Sequence, residues 1–523
     1  MRTFKYDPLD LEGPAFRLIR LFKASWGEIR CELFDAWLDS DVLIPYEALS
    51  YVWGGLDRKH EIQVNGYAFG VTSNLYSALQ HLRTNQERIL WTDAICIDQD
   101  NTKERGHQVR HMAEIYKLAD RVVIWLGPST NELVVVMLAM EQLQKESAKY
   151  ACRDWKVTDK RWMDIWTVAQ RTLERETLST QHLEQSLISL LSLSWFKRVW
   201  ILQEIAYARR AVFVCGHKSA SARFLPITTA LLGVEPNHQQ QAVLDIIPGS
   251  RNACWWSEKR NLYTLLAKFR DCEASDRRDK IYALLRMSTD AWPRLGIDYG
   301  KSGRTVVRDT ISFLFSADQN GLGPLPLPDW DVDKFFQKLD SLTNEIFVLA
   351  VSTGNLVVAE QLIRQGDVDV NFTDENGFTP LLRAAGCRFE IMARQLLDHG
   401  ANIDTRDRHG CTALSRAVVN VDVTLVQLLV QRGANVHIKN GDGQSPLAAT
   451  LSALVSGQLT RIPQSEPGHE AFGPDLYFQI VRLLFENGAY SDENRAETQA
   501  LLREAAGKYK QIAQMVDSFS FIY

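Results

Sequence analysis

The sequence is poor in the features that mark secreted, zinc-binding and membrane proteins. Its eight cysteines are scattered over 523 residues, and no two of them form a Cys-x-x-Cys pair. This distribution argues against a structural zinc site and against a disulfide framework. The longest uncharged apolar run, residues 133–140, is far shorter than the ~20 residues that span a bilayer. We therefore expect an intracellular, cytoplasmic protein without a membrane span.

Charge and composition exclude further classes. The chain has 59 basic and 64 acidic residues and a net charge of -5, whereas a nucleic-acid-binding domain needs a basic face. No G-x-x-x-x-G-K phosphate loop occurs, and no histidine cluster accompanies the acidic residues, so we assign no metal site. With 46% hydrophobic residues, a chain of this length predicts two or three globular domains.

One stretch, Leu90–Gly127, predicts the centre of the first domain. It begins with a short apolar run typical of a buried strand, followed by an acidic turn that carries Asp93 and Asp98. Apolar residues at steps of three and four then predict a helix over 109–119. The run 122–126 is apolar throughout, as in a parallel strand covered on both faces. Ligands of such sheets bind beyond the carboxyl ends of the strands, where Asp93 and its loop lie.

Composition shifts along the chain predict its domain boundaries. We expect a strand-rich extension (1–42), an α/β domain (43–320), a proline-rich linker (321–334) and a repeat domain (335–523). The α/β domain would comprise a core (43–216), a helical insertion within it (129–193) and a helical extension (222–316). Asn65-Gly66 predicts a two-residue β-hairpin, and the largely apolar segment 194–210 predicts one long helix.

The C-terminal part of the chain repeats with a fixed period. Gly377, Gly410 and Gly443 open matching blocks at equal spacing. Period and motif resemble those of ankyrin repeats, whose unit of about 33 residues is built from a turn and two helices. The resemblance implies an all-α solenoid that binds a protein partner on its concave face.

Several blocks in the first domain resemble the heterokaryon incompatibility (HET) domain of filamentous fungi. They are YEALSYVWG at 46–54, LWTDAICIDQDN and the helix after it at 90–119, WFKRVWILQE at 195–204, and DRRDKIYALL at 276–285. The resemblance extends over roughly residues 43–290. It implies an intracellular fungal signalling protein that triggers regulated cell death when unlike individuals fuse. The ankyrin repeats would be its sensor, and self-assembly of HET domains its trigger.

The same order of segments also resembles a Toll/interleukin-receptor (TIR) domain. This similarity implies an α/β fold of TIR or flavodoxin type, a mostly parallel sheet with helical insertions. Some TIR domains cleave NAD with a glutamate near the nicotinamide ribose. By this resemblance Glu204 would be catalytic, Trp200, Asp93 and Asp98 would line the site, and NAD would be a substrate rather than a bound cofactor.

Structural interpretations of these residues stay open beside the functional ones. Glu204 is either a catalytic carboxylate or a buried acid paired with a base such as Arg198 or Arg209. Asp93 and Asp98 either line a site or cap helices and close turns. The sequence alone does not decide whether the protein is an enzyme, which partner it binds, or its oligomeric state.

Overall fold

The computed structural model divides the chain into two compact units. The first comprises residues 1–314 and 330–336, and the second 315–329 and 337–523. The structure describes residues 4–24, 27–40, 43–55, 57–152, 154–175, 178–250, 255–258, 260–316, 327–366, 368–457, 474–490 and 495–519. Residues 321–326 of the predicted linker lie outside these ranges.

A mixed sheet forms the core of the first unit. In the described residues it has nine strands: β1 (Ala15–Leu21), β2 (Arg30–Trp37), β3 (Glu47–Tyr51), β4 (His60–Val64), β5 (Tyr67–Val71), β6 (Arg88–Trp91), β7 (Arg121–Gly127), β8 (Ala211–Cys215) and β9 (Lys218–Ser221). Their order is β5-β4-β2-β1-β6-β3-β7-β8-β9. The central strands β6, β3, β7 and β8 are parallel. The flanking pairs are antiparallel except for β2 with β4, so the expected parallel sheet is the middle of a larger mixed one.

The predicted crossover is confirmed. Helix α1 (Ser73–Leu82) precedes β6 in the chain. After β6 the chain forms the short helix α2 (Asp93–Cys96) and then the long helix α3 (Thr102–Leu118). The side chain of Asn101 caps α3 by accepting hydrogen bonds from two backbone N–H groups of its first turn. The apolar face of α3 is buried, and the chain returns as β7, with β3 lying between β6 and β7.

The β-hairpin between β4 and β5 is also confirmed. Asn65 and Gly66 have φ angles of 52° and 81°. These positive angles match the twist of the two flanking strands, which is why Asn-Gly favours this turn.

Most helices of the first unit lie between β7 and β8 or after β9 in the chain. The remaining helices of the first unit are α4 (Asn131–Ser147), α5 (Arg161–Arg175), α6 (Thr180–Leu191), α7 (Ile201–Ala206), α8 (Phe224–Leu231), α9 (His238–Ile246), α10 (Trp255–Glu258), α11 (Leu262–Lys268), α12 (Asp279–Leu285), α13 (Gly303–Ser316) and α14 (Val332–Gln337). No helix within the described ranges is long and apolar enough to cross a membrane.

The prediction of one helix over 194–210 is wrong. A short 3-10 helix, Ser194–Lys197, is followed by extended backbone at Arg198, and α7 has only six residues. Tertiary hydrogen bonds explain the break: Val199 N–H donates to the Glu273 carbonyl at 3.0 Å, and Glu273 N–H donates to the Lys197 carbonyl at 2.6 Å. These partners replace the intrahelical bonds of a continuous helix.

The second unit is helical and repeats as expected. Its helices are α15 (Leu342–Ser352), α16 (Leu356–Gln365), α17 (Pro380–Gly386), α18 (Glu390–Asp398), α19 (Ala413–Val419), α20 (Val423–Gln431), α21 (Pro446–Ser456), α22 (Pro474–Glu486), α23 (Arg495–Lys508) and α24 (Lys510–Phe519). Thr379, Thr412 and Ser445 cap α17, α19 and α21 in the same way, each accepting from a backbone N–H three residues on.

Candidate functional site

An open cleft lies beyond the carboxyl ends of the parallel strands β3 and β6. Its cavity volume is about 610 Å³, within the ~300–1,000 Å³ usual for small-molecule sites. Trp53 and the glycines after it come from the end of β3, and Asp93 comes from the end of β6. This is the position at which ligands of open α/β sheets bind.

Asp93 lines the cleft and starts α2. Trp53 Nε1 donates to Asp93 Oδ2 at 2.8 Å, and Ala94 N–H donates to Oδ1 at 2.8 Å. Gln99 Nε2 donates to the backbone carbonyl of Asp93 at 2.8 Å. Burial raises the pKa of Asp93, and the nearby Arg198 guanidinium partly opposes this. The Asp93 side chain therefore stabilises the turn that begins α2 and also faces the cleft.

Trp200 lines the same cleft. It lies just before α7, and its Nε1 donates to Asp279 Oδ2 at 3.0 Å. The Glu204 N–H approaches the Trp200 carbonyl at 3.4 Å, which places the two residues one helical turn apart, as predicted.

Glu204 lies behind the cleft wall rather than on it. The residue is 2% exposed, and its Oε2 has no hydrogen-bond partner among the described residues. Burial raises the pKa of Glu204 to about 7, while Arg198 and a hydrogen bond with Ser50 act in the opposite direction. Arg198 lies close enough to affect this pKa, but its guanidinium donates to the Tyr51 carbonyl.

Asp98 does not line the cleft. Its Oδ1 accepts a hydrogen bond from Asp100 N–H at 3.2 Å, which closes the turn before α3. Its own N–H donates to Glu104 Oε1 at 2.8 Å. Of the four residues singled out from the sequence, the structure brings Asp93 and Trp200 to one surface, with Glu204 beneath it and Asp98 outside it.

A buried ion pair holds the loop that carries Asp93 and Asp98. Arg17 Nη1, on β1, donates to Glu104 Oε1 at 2.6 Å and to the Cys96 carbonyl at 3.3 Å. Both side chains of the pair are 3% exposed. Because Glu104 also accepts from the loop backbone, the pair fixes the loop between β1 and α3.

The far wall of the cleft was missed by sequence reasoning. Asp279, at the start of α12, accepts from Trp200 through Oδ2 and from Tyr299 Oη through Oδ1 at 2.7 Å. Burial raises the pKa of Asp279 to about 6 and also raises that of Tyr299. The guanidinium of Arg105 lies 4.9 Å from the Tyr299 ring centre. The available signal in the sequence is the block DRRDKIYALL, which contains Asp279.

The lining combines aromatic rings with an excess of carboxylates. Trp53, Trp200 and Tyr299 present aromatic surface, and the charged lining residues among those described are Asp93, Arg105, Arg198, Glu273, Asp276 and Asp279. Aromatic faces stack on planar or cationic rings, and carboxylates accept hydrogen bonds from hydroxyl groups. The cleft therefore suits a ligand with a ring and a sugar.

Two family models match the chain. Residues 46–204 match the model described as heterokaryon incompatibility protein (HET), and residues 347–440 match the model of ankyrin repeats in three copies. Asp93, Trp200 and Glu204 lie inside the first match, whereas Asp279 and Tyr299 lie beyond it.

The chain is also similar to individual proteins of both kinds. Heterokaryon incompatibility protein 6, OR allele, of Neurospora crassa is 32% identical over 259 residues, which are 43% of this chain and 37% of that protein. An ankyrin repeat-containing protein of Treponema pallidum is 34% identical over 106 residues, 20% of this chain and 36% of that protein. The chain thus spans little more than a third of the length of these relatives. It carries a HET domain followed by ankyrin repeats.

Proposed function

We propose that this protein is a cytoplasmic effector of fungal heterokaryon incompatibility that promotes regulated cell death. The observation that carries this proposal is the presence of a HET domain and an ankyrin array in one chain. The name of the Neurospora relative supports it. In this function the HET domain sends the signal, and a protein bound to the ankyrin repeats controls it.

The ankyrin array supports the sensing part of the proposal. Stacked turn-and-helix repeats bind proteins on an extended surface while each repeat contacts only its neighbours. Partner binding on this surface would release or assemble HET domains, which then act together.

Inducible expression in a fungal host tests the effector function. The full chain and residues 1–336, which contain the first compact unit, are expressed at matched abundance, and viability is scored by dye uptake. We expect death from residues 1–336, with or without a partner for the repeats. Normal growth at high abundance of both proteins would contradict an effector function.

A second candidate function is a TIR-like NAD hydrolase. It is favoured by the position of Trp200 and Asp93 on one cleft, with Glu204 close enough to both Asp93 and Arg198 for their charges to affect its pKa. Hydrolysis breaks the bond between ribose C1′ and the nicotinamide nitrogen, and the electron pair leaves with nicotinamide. Water forms the new bond to C1′ and releases one proton, giving ADP-ribose.

The residues have distinct parts in this reaction. Trp200 stacks on the nicotinamide ring, and Asp93 accepts hydrogen bonds from the ribose hydroxyls. The oxocarbenium-like transition state is positively charged, so a carboxylate near C1′ stabilises it. Glu204 contributes this negative charge from behind the wall when it is ionised, and because burial raises its pKa to about 7, the charge develops around and above neutral pH.

Nicotinamide release from NAD by the purified full chain tests this second function. Glu204→Gln keeps the shape of the side chain and should reduce release at least about 100-fold. Glu141→Gln, an exposed position on α4, is the matched control and should retain full activity. No release by concentrated wild-type protein would exclude the hydrolase, and full release by Glu204→Gln would exclude a role for the Glu204 carboxylate in the reaction.

A further inference from the structure

A smaller cavity adjoins the cleft and shares part of its wall. Its volume is about 190 Å³, and both cavities are lined by Trp53, Gly55 and Gln99. Gly55 has no side chain, and a Cβ atom built there would meet nothing within 4 Å. The two cavities are therefore neighbouring lobes of one site, and Trp53 lines both of them.

Arg58 is the charged group of the smaller lobe. Among the described residues that line this lobe, it alone carries a formal charge. Its guanidinium forms no hydrogen bond or ion pair with the described part of the chain. A Cβ atom on Gly70 would lie 3.2 Å from Arg58 Cβ, so the glycine leaves room for the arginine stem against β5. Arg58 is exposed, and the described residues do not use its hydrogen-bonding groups.

The two lobes have opposite charge. The larger lobe is lined by four carboxylates and two arginines among its described residues, and the smaller one by Arg58. Hydrogen bonds from Trp53 and Gln99 already engage Asp93 at the boundary. Complementary potentials select a ligand whose own charge is divided in the same way. Such a ligand has an anionic group at one end and a ring with hydroxyl groups at the other.

We propose that the smaller lobe binds a phosphate group of a nucleotide whose nicotinamide-side ring and sugar occupy the larger lobe, with Arg58 as the anion-binding residue. Arginine is suited to this because its planar fork donates two hydrogen bonds to one phosphate. The proposal rests on the cleft being the nucleotide site of the second candidate function, but it concerns binding and does not require hydrolysis.

Equilibrium binding of NADH to the full chain tests the proposal. The dihydronicotinamide ring of NADH is uncharged and a poor leaving group, so binding is measured without turnover. Reduced nicotinamide riboside, which has the same ring and sugar but no phosphate, is the second probe. We expect Arg58→Gln to weaken NADH binding about tenfold or more and to leave riboside binding unchanged. Inorganic phosphate should compete with NADH for the wild type and not for the variant.

Arg30→Gln is the matched control, because Arg30 is exposed on β2 and does not line either lobe. It should bind both probes as the wild type does. Unchanged NADH binding by Arg58→Gln, equal weakening of both probes, or no NADH binding by the wild type would overturn the proposal. Arg58-dependent NADH binding without nicotinamide release from NAD would instead uphold it and exclude the hydrolase.

Discussion

At the residue scale, the buried carboxyl of Glu204 makes the stability of the fold depend on pH. Its carboxyl titrates near 4.5 when unperturbed and near 7 in the folded protein. Between these values the folded state holds a proton that the unfolded state has lost. Stability therefore falls as pH rises from about 4.5 to 7 and stays low above that. The full loss is on the order of 3 kcal/mol.

Glu204→Gln should remove this part of the pH dependence. An amide cannot ionise, so the variant should gain stability relative to the wild type at pH 8 but not at pH 4.5. Calorimetric melting of the first unit at both pH values measures the effect. Glu141→Gln should follow the wild type, and the slope that persists in Glu204→Gln should reflect other carboxyls with raised pKa values, Asp279 and Asp93 among them. An identical slope in wild type and Glu204→Gln would contradict the assignment.

The Arg17–Glu104 pair gives a second prediction. Glu104→Ala leaves the Arg17 guanidinium buried without its main partner and the Asp98 N–H without an acceptor. We expect a loss of about 3–5 kcal/mol in the free energy of unfolding, as for other broken buried pairs. Urea unfolding of the first unit measures it.

The exposed Arg20–Glu32 pair is the control for this measurement. Its side chains are 40% and 45% exposed, and Arg20→Ala should cost at most about 1 kcal/mol because water screens the pair. Equal losses in the free energy of unfolding for Glu104→Ala and Arg20→Ala would mean that the buried pair does not hold the loop.

Sequence reasoning found a cleft-lining residue that follows a strand and missed contacts between residues that are distant in sequence. Asp93 was found because parallel strands bring their carboxyl ends to one edge. Asp279 was missed because its bond to Trp200 joins residues 79 positions apart, and no local pattern marks such a contact. The same applies to Arg17 and Glu104, which are 87 positions apart.

At the element scale, α7 shows how tertiary contacts override helical pattern. The segment from Ser194 onward is apolar enough for a long helix, but Trp195 Nε1 donates to the buried Ser50 Oγ at 2.8 Å and the backbone near Arg198 pairs with Glu273. The break places Trp200 at the start of a new helix. These partners are far away in sequence, so propensity alone could not reveal it.

One ankyrin repeat contains an Asp–Arg ion pair, and the next repeat has uncharged residues at both of these positions. Asp407 accepts from two backbone N–H groups of its turn and from Arg416 Nε at 3.0 Å. One repeat later, Asn440 accepts from the equivalent turn, and Ala449 occupies the arginine position. The turn thus persists without charge when both partners are replaced together.

This comparison predicts that substitutions at Asp407 and Arg416 have non-additive effects on the free energy of unfolding. The Asp407 side chain is fully buried. Arg416→Ala should therefore lower the free energy of unfolding by about 2–4 kcal/mol, because it leaves the Asp407 charge without its ion-pair partner. Adding Asp407→Asn should restore more than half of that loss, since it recreates the next repeat. Calorimetric melting of the second unit measures both, with Arg394→Ala in an exposed helix pair as a control that should change little. Simple additivity of the two losses would refute the explanation.

At the scale of the whole molecule, the ankyrin repeats could be predicted in detail. In the first unit, only the central strands of the sheet could be predicted. A constant period with a fixed motif determines the type of element and its order. Unbroken apolar runs likewise predicted the parallel strands β6 and β7. The place of β1 in the same sheet could not be inferred, because a short alternating strand does not specify its neighbour. In the structure β1 pairs with β6, although β2 to β5 lie between them in sequence.

The central claim is that the cleft bearing Asp93 and Trp200 is the part of the HET domain on which its effect depends. The most direct test is host-cell viability after expression of residues 1–336, with wild type, Trp200→Ala and Trp37→Ala at equal abundance. Trp37 is 44% exposed on β2 and does not line the cleft, so its variant controls for loss of a tryptophan. We predict that the wild type and Trp37→Ala kill the host and that Trp200→Ala, with its melting temperature retained, does not. Equal killing by all three proteins would contradict the claim.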